Sequence, residues 1–329
     1  MKRIGDVRKM PLVVPFRVLP LIGLVLCADY AAGQQLQVEL DAQRVAIAAD
    51  RQPMVVYRFG DVPAKPYVQE LYTPAGVNVL RDAPHDHLHH HGLMFGVSVD
   101  GVSFWEEGTG AGRQQHVGFE AQRAESRNGR SRAILTESLR WLGPQGDEPM
   151  LSESRVIALD RADDLPATLL TWETRLTAPD DQKRVLGGAH YYGLGMRFVE
   201  AMDRVGQTFS ATGEEGDVVR GTERLVGAKW VAYTAAVDGK PVTVALFDHP
   251  ENPRHPARMF TMTAPFAYLS ATMNLQNEPL TIEPGETLRL RYAAVAADGR
   301  PAADAVEQIY QRWLQQDRSG DSTRPPGGH

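Results

Sequence analysis

From residue 36 onward the chain is written in period two. Short runs of alternating apolar and polar residues recur at 36–40, 44–48, 53–59, 68–72 and 77–80, then at 117–125 and 131–141, 151–159 and 167–176, 228–236 and 242–247, and 287–296. Pairs and triplets that favour tight turns close them: Pro74-Ala75-Gly76, Asp100-Gly101, Asn128-Gly129 and Asp238-Gly239. Alternation with this punctuation describes half-buried strands joined by hairpins. Helical spacing is found only at residues 301–317, where Ala305, Ile309 and Trp313 share a face with Val306 and Tyr310. Roughly eighteen strands and one terminal helix restrict the chain to an all-β sandwich larger than an immunoglobulin unit.

The first 33 residues do not fit that pattern. A basic leader (Lys2, Arg3, Arg8, Lys9) precedes an apolar run from Val18 to Ala28, then the small residues Ala31, Ala32 and Gly33. This describes a cleaved signal peptide, with cutting before Gln34 and a periplasmic or secreted product. Cleavage removes Cys27, the only cysteine, so a metal in the mature protein would be held by His, Asp or Glu. It also removes five of the 35 basic residues and two of the 41 acidic ones, leaving 30 against 39, a net charge of −9. Such an acidic domain suits neither nucleic acid nor an anionic membrane, so neither is expected as a partner. An uncharged substrate fits better. Residues 34–317 are expected to form one domain, with 318–329 as a disordered tail.

Within this β framework one stretch is chemically dense. Residues 81–107 hold five of the ten histidines, His85, His87, His89, His90 and His91, with Asp86 among them and Trp105, Glu106 and Glu107 at the end. Imidazoles titrate near neutrality and ligate metals, so the cluster predicts an acid–base or metal centre. His87, His89, His90 and Glu106 are the candidates for catalysis, and His87, His89 and Asp86 for a divalent metal ion, the only cofactor considered. An extended run would place His85, His87, His89 and His91 on one face, and Asp86 and His90 on the other.

Two further stretches offer partners. Residues 187–198 place His190, Tyr191, Tyr192 and Arg197 among four glycines, a wall on which a ring could stack. Residues 248–256 (Asp-His-Pro-Glu-Asn-Pro-Arg-His-Pro) form a proline-stiffened loop. His249 joins the catalytic candidates. Asp248, Asn252, Arg254 and His255, with Arg81, Trp105, His190, Tyr191, Tyr192 and Arg197, are expected to hold substrate. The glycine-rich residues 108–112 lack the following Gly-Lys-Ser/Thr of a phosphate loop and read as a connection. The expected geometry is that His87, His89 or His90 shares one cleft with His190 or His249.

The runs Asp86-His-Leu-His-His-His-Gly-Leu-Met-Phe95, Asp100-Gly-Val-Ser-Phe-Trp105, Phe247-Asp-His-Pro-Glu-Asn-Pro-Arg-His-Pro256 and Tyr310-Gln-Arg-Trp313 resemble the PmoA family, exported bacterial proteins labelled "methane oxygenase PmoA". The resemblance spans most of residues 40–315. The family form has arginine after the paired histidines, where this chain has His91. The resemblance implies a large antiparallel β-supersandwich of the galactose-mutarotase-like type, shared by sugar epimerases, glycoside hydrolases and polysaccharide lyases. It implies an exported carbohydrate-active enzyme that cleaves a sugar by hydrolysis or elimination, or isomerises it, with carbohydrate as the partner. Two alternatives stand beside this: a non-catalytic carbohydrate-binding protein, and the metal-dependent oxygenase of the family label.

Overall fold

The computed structural model describes residues 35–320 except Asn128, Asp147 and Asp180. They fall in the compact unit Gly33–His329. The signal segment, the turn residue Asn128 and the last nine residues of the expected tail lie outside the described residues.

Alternation and turn chemistry have the consequence expected of them: the protein is an all-β, antiparallel supersandwich with one C-terminal helix. The described residues form twenty-two strands. A ten-stranded sheet runs, edge to edge, Leu36–Leu40, Arg44–Ala49, Gln52–Arg58, Tyr67–Leu71, Leu93–Gly96, Gly193–Arg197, Tyr268–Thr272, Arg258–Met262, Glu223–Gly227 and Asp217–Arg220. An eight-stranded sheet packs against it, with Thr287–Asp298 between Lys240–Asp248 and Ala167–Thr177, and the long hairpin Arg113–Arg127/Arg130–Leu142 at one edge. A small four-stranded sheet joins Leu280–Ile282, Arg184–Gly187, Ser98–Val99 and Val102–Ser103. Residues 77–80, expected as a strand, make only isolated bridges, Tyr72 to Asn78 and Leu80 to Phe198. Turn hydrogen bonds back to Thr73 and Leu71 take up the backbone there instead.

Each strand sorts its side chains by parity. In Leu93–Gly96, Leu93 and Phe95 enter the core between the large sheets, and Met94 points out. In Arg258–Met262, Met259 is inside while Phe260 and Met262 are outside. The inner core gathers Val55, Leu93, Phe95, Ile157, Trp172, Leu194 and Leu269, all essentially inaccessible to water. Each such side chain contributes about 1.5–3 kcal/mol. On the outer face of the eight-stranded sheet, Trp230, Phe247 and Val295 take the apolar stripe of the helix Ala303–Gly320, whose Val306, Ile309, Tyr310 and Trp313 are buried. No helix among the described residues is long and apolar enough to cross a membrane.

Among the described residues, the outer face of the ten-stranded sheet has no such helical cover. There Tyr67, Met94, Trp105, Tyr192, Phe260, Met262, Phe266 and Tyr268 make a separate aromatic cluster. The histidine run lies on it.

Candidate functional site

Residues 84–90 are not extended. His87 N donates to Pro84 O and His90 N to His87 O, both at 2.9 Å, so two turns follow one another. Ala83 N closes the loop on His90 O, and Asp82 pairs with His91 across its neck. Ala83 takes φ +41° to enter this loop, although a residue before proline favours an extended backbone. Gly92 anchors its far end against the strand Tyr67–Leu71: a Cβ there would stand 2.1 Å from Val68 O, and its φ is +39°. Tight turns return every third residue to the same side. His87 and His90, which alternation would have separated, therefore stack at 4.7 Å with an interplanar angle of 21°. His89 meets His90 edge-on at 4.5 Å.

These three rings form one side of a cleft of about 300 Å³. Phe266 and Tyr268 lie under His90, while Phe260, Met262 and Pro265 complete the apolar lining. Glu106, Tyr191, Arg220 and Glu223 supply the polar lining. Glu106 Oε2 stands 3.5 Å from His89 Nε2, and its side chain is 42% exposed, open to whatever enters. Glu223 is tied to Arg220 at 2.6 Å. Its other oxygen faces His190 Nε2 at 3.4 Å, beyond good hydrogen-bond length.

Burial sets the charge state of the cleft. It pushes the His90 imidazole down to about 2, helped by the neighbouring His89, His87, Arg197 and Lys65 charges. It also lowers His89, against the pull of Glu106. Both rings are therefore neutral at pH 7. Burial, with the nearby Tyr192, Glu106 and Glu223, raises Tyr191 to about 12, leaving a neutral hydroxyl. Among the described residues, His90 Nδ1, the Tyr268 hydroxyl, Trp105 Nε1, His190 Nε2 and Glu223 Oε2 are buried without a hydrogen-bond partner.

His91 leaves the cleft. It is buried, stacked on Tyr67 at 4.5 Å, with Nδ1 2.6 Å from Asp82 and Nε2 2.9 Å from Glu107. Buried Lys65 also donates to Glu107, at 3.0 Å. Burial opposes charge on His91, but the two carboxylates raise its pKa overall. A cation between two carboxylates holds the neck of the histidine loop.

The other expected site residues divide. Tyr191 lines the cleft, and His190 backs it through Tyr191, Phe260 and Glu223. Trp105, expected as a stacking surface, is fully buried beneath Tyr191, Tyr192 and His90 and presents no face to a ligand. Arg197 stacks under Phe266 at 3.8 Å and pairs with Asp203, as does Arg81, so both brace the wall from behind. The proline loop does not join the cleft. Asp248 is a buried hub accepting from Asn252 Nδ2, His255 Nδ1 and Ala257 N at 2.7, 2.7 and 2.8 Å. Asn252 also bridges to the backbone of Arg291. Arg254 clamps the carbonyls of Met273, Glu278 and Pro279. His249 packs edge-on against Trp313 of the helix. These four residues and His249, expected to act on substrate, lie outside the cleft, and the four are engaged by one another and by neighbouring backbone.

The metal expectation also changes. Stacked rings do not aim their lone pairs at one point, and Asp86 sits 3.1 Å from His87 Nδ1 alone. Among the described residues no group of three or more His, Cys, Asp or Glu side chains could hold a metal ion. Glu223, Arg220, Phe260, Phe266 and Tyr268 were invisible to motif reading. They come from strands and loops far along the chain, with only the parity of the strands Arg258–Met262 and Tyr268–Thr272 hinting at an outward aromatic face.

A family model described as "Family of unknown function (DUF6807)" matches residues 44–311. No curated protein matches the chain. Similar solved structures include the GH36 alpha-galactosidase AgaB from Geobacillus stearothermophilus (10% identity, TM-score 0.46, 80% of this chain and 41% of that one). They also include the alpha-galactosidase from Lactobacillus brevis (7%, 0.45, 84% and 41%) and the Slr1438 protein from Synechocystis sp. PCC 6803 (10%, 0.34, 81% and 93%). The chain thus spans 41% of the length of these galactosidases, and likeness of this order says nothing about the reaction.

Proposed function

We propose, for a chain that belongs to the DUF6807 family, the function of an exported carbohydrate-active enzyme that moves protons on a sugar in the histidine cleft. One observation carries this reading: His87, His89 and His90 line a single cleft with Glu106, Glu223 and Tyr191. A volume of about 300 Å³ lies at the small end of ligand pockets, roughly 300–1,000 Å³. Apolar rings on one side and carboxylate, imidazole and phenol groups on the other match a sugar ring, which offers C–H faces and hydroxyl edges.

The roles follow from charge state. His89 is neutral at pH 7 and so accepts a proton, and Glu106 beside it stabilises the imidazolium that results. Tyr191, a neutral hydroxyl, donates a hydrogen bond to a substrate oxygen. His90 stays neutral throughout and orients its neighbours. Proton abstraction of this kind serves elimination, isomerisation or activation of water for hydrolysis. Export rests on the N-terminal leader pattern.

The test is a panel of free sugars and glycosides, followed by NMR for anomer exchange and epimerisation and by assay for new reducing ends or unsaturated products. Turnover by the wild type should fall by at least about 100-fold in His89→Ala and in Glu106→Gln, with unchanged thermal unfolding. Wild-type rates in both variants would overturn the assignment. Stoichiometric copper or iron in untagged protein would replace it with the oxygenase reading.

A further inference from the structure

A second cavity adjoins the cleft and has no part in the chemistry above. It is an open groove of about 630 Å³ at the edge of the small sheet, lined by Ser98, Asp100, Gly187, Gly188 and Tyr192 among others. Cleft and groove meet at two touching rings. Tyr191 lines the cleft and Tyr192 the groove, their centroids are 5.3 Å apart, and both rest on buried Trp105. Tyr192, which lines the groove, is tied toward the cleft through Ser103. Its hydroxyl lies 3.2 Å from Ser103 Oγ, and Ser103 Oγ in turn accepts from the backbone N–H of Glu106 at 3.1 Å. Burial and the Glu106 carboxylate raise the Tyr192 hydroxyl above its ordinary pKa, against the Ser103 hydrogen bond.

The floor of the groove is bare for two different reasons. At Gly188 a Cβ would stand 2.6 Å from the Tyr192 ring, so glycine lets that ring lie flat on the backbone. At Gly187 a Cβ would meet nothing within 4 Å. Neither packing nor a left-handed backbone accounts for glycine at 187; what its missing side chain does is keep the groove open. No lysine or arginine is among the described residues that line the groove. Arg184, beside it, is paired with Asp100 Oδ2 at 3.3 Å, and Asp100 Oδ1 accepts from Val185 N, which leaves the Ser98 hydroxyl and the remaining lone pairs of Asp100 for hydroxyl groups.

We propose that the substrate is a neutral saccharide chain rather than a free monosaccharide, its reacting residue in the histidine cleft and its neighbouring residues in the groove over Gly187 and Gly188. This rests on the carbohydrate reading of the cleft and extends it. Tyr192 is the shared wall across which the chain passes. With Arg184 neutralised by Asp100, the groove carries no unpaired positive charge among its lining residues, which selects an uncharged chain over a polyuronate.

The probes are neutral cello-, xylo-, manno- and malto-oligosaccharides of increasing length, starting from the monosaccharide, titrated by calorimetry into the wild type and into Gly187→Trp. For one series, affinity should rise with length by at least about tenfold, or 1.4 kcal/mol. Gly187→Trp should abolish that rise and leave monosaccharide binding unchanged. As a second readout on the wild type, the longest oligomer and not the monosaccharide should shift the amide signals of Gly101, Gly187 and Gly188. Equal affinity for monomer and oligomer, a length dependence that survives Gly187→Trp, or silent groove amides would overturn the chain substrate and leave the cleft assignment standing. Failure of every sugar to bind at any length would overturn both.

Discussion

Two polar clusters in this molecule, one sealed in the core and one in a half-open cleft, are built on opposite principles. Inside the sandwich, Arg155 is fully inaccessible and all five of its N–H groups are used. Nε and Nη2 bind Glu153, Nη2 also binds Gln114, and Nη1 binds the Tyr57 hydroxyl and Pro66 O. The network continues from Tyr57 to Glu137 and on to His116 at 2.6 Å. Outside, in the histidine cleft, His90 Nδ1 and the Tyr268 hydroxyl are buried without a hydrogen-bond partner among the described residues, and His190 Nε2 and Glu223 Oε2 face each other at 3.4 Å, beyond good hydrogen-bond length. A satisfied network specifies the fold. An unsatisfied one stores unused hydrogen-bonding capacity, which costs stability and is found where a protein acts on something else. That difference, more than the count of histidines, supports the role proposed for the outer cleft.

The comparison can be broken most severely at Arg155. Arg155→Ala strands Glu153, Gln114 and Tyr57 in the core and should cost about 3–5 kcal/mol in urea unfolding. A loss under about 1 kcal/mol would mean that water replaces the arginine and the inner network is not structural. A matched pair of hydroxyl deletions sharpens the contrast. Tyr57→Phe removes a donor to Glu137 and an acceptor for Arg155 and should destabilise by about 1–3 kcal/mol. Tyr268→Phe removes a buried hydroxyl without a protein partner, so its unfolding free energy should stay the same or rise. Equal losses in the two would erase the distinction.

A further contrast lies in pH dependence, where the adjacent His90 and His91 should oppose each other. His90 is held neutral in the fold, with its pKa down to about 2. The unfolded chain takes up that proton near pH 6.5, so stability falls as pH drops below about 6.5, at up to about 1.4 kcal/mol per pH unit. His91 has a raised pKa. Its contribution is fully present below its unfolded pKa and is lost as pH rises through its folded one. His90→Gln should therefore flatten the acid limb of the stability profile, and His91→Gln the decline on the alkaline side. An acid limb unchanged in His90→Gln would show that the ring is charged in the cleft.

Much of the fold was legible because strands announce themselves locally. Alternation placed the hairpins at 117–141 and 228–247 and the terminal helix within a few residues of their bounds, since one buried face imposes its period directly on the chain. The histidine run misled for the same reason. Period two predicts a pleat at residues 85–91, but hydrogen bonds from His87 to Pro84 and from His90 to His87 replace it by turns. His91, adjacent in sequence to the other imidazoles, lies instead between Asp82 and Glu107. The proline loop carries the residue types of acid–base sites. Asp248, with Asn252 and His255 bound to it, shows the same residues serving as packing.

The sequence by itself determined the class of fold, the position of the helix, and the neighbourhood of the cleft at residues 85–107 and 190–192. These are properties of local periodicity and composition. The tertiary structure decided membership of the site. It brought in Glu223 and Arg220 from the far edge of the sheet and Phe260, Phe266 and Tyr268 from its outer face, and it sent His91, His249 and Trp105 away. Parity along a strand says only that a side chain points to one face or the other. Which strands lie side by side, and so which side chains meet, follows from pairing between segments about a hundred residues apart, such as Gly193–Arg197 with Leu93–Gly96.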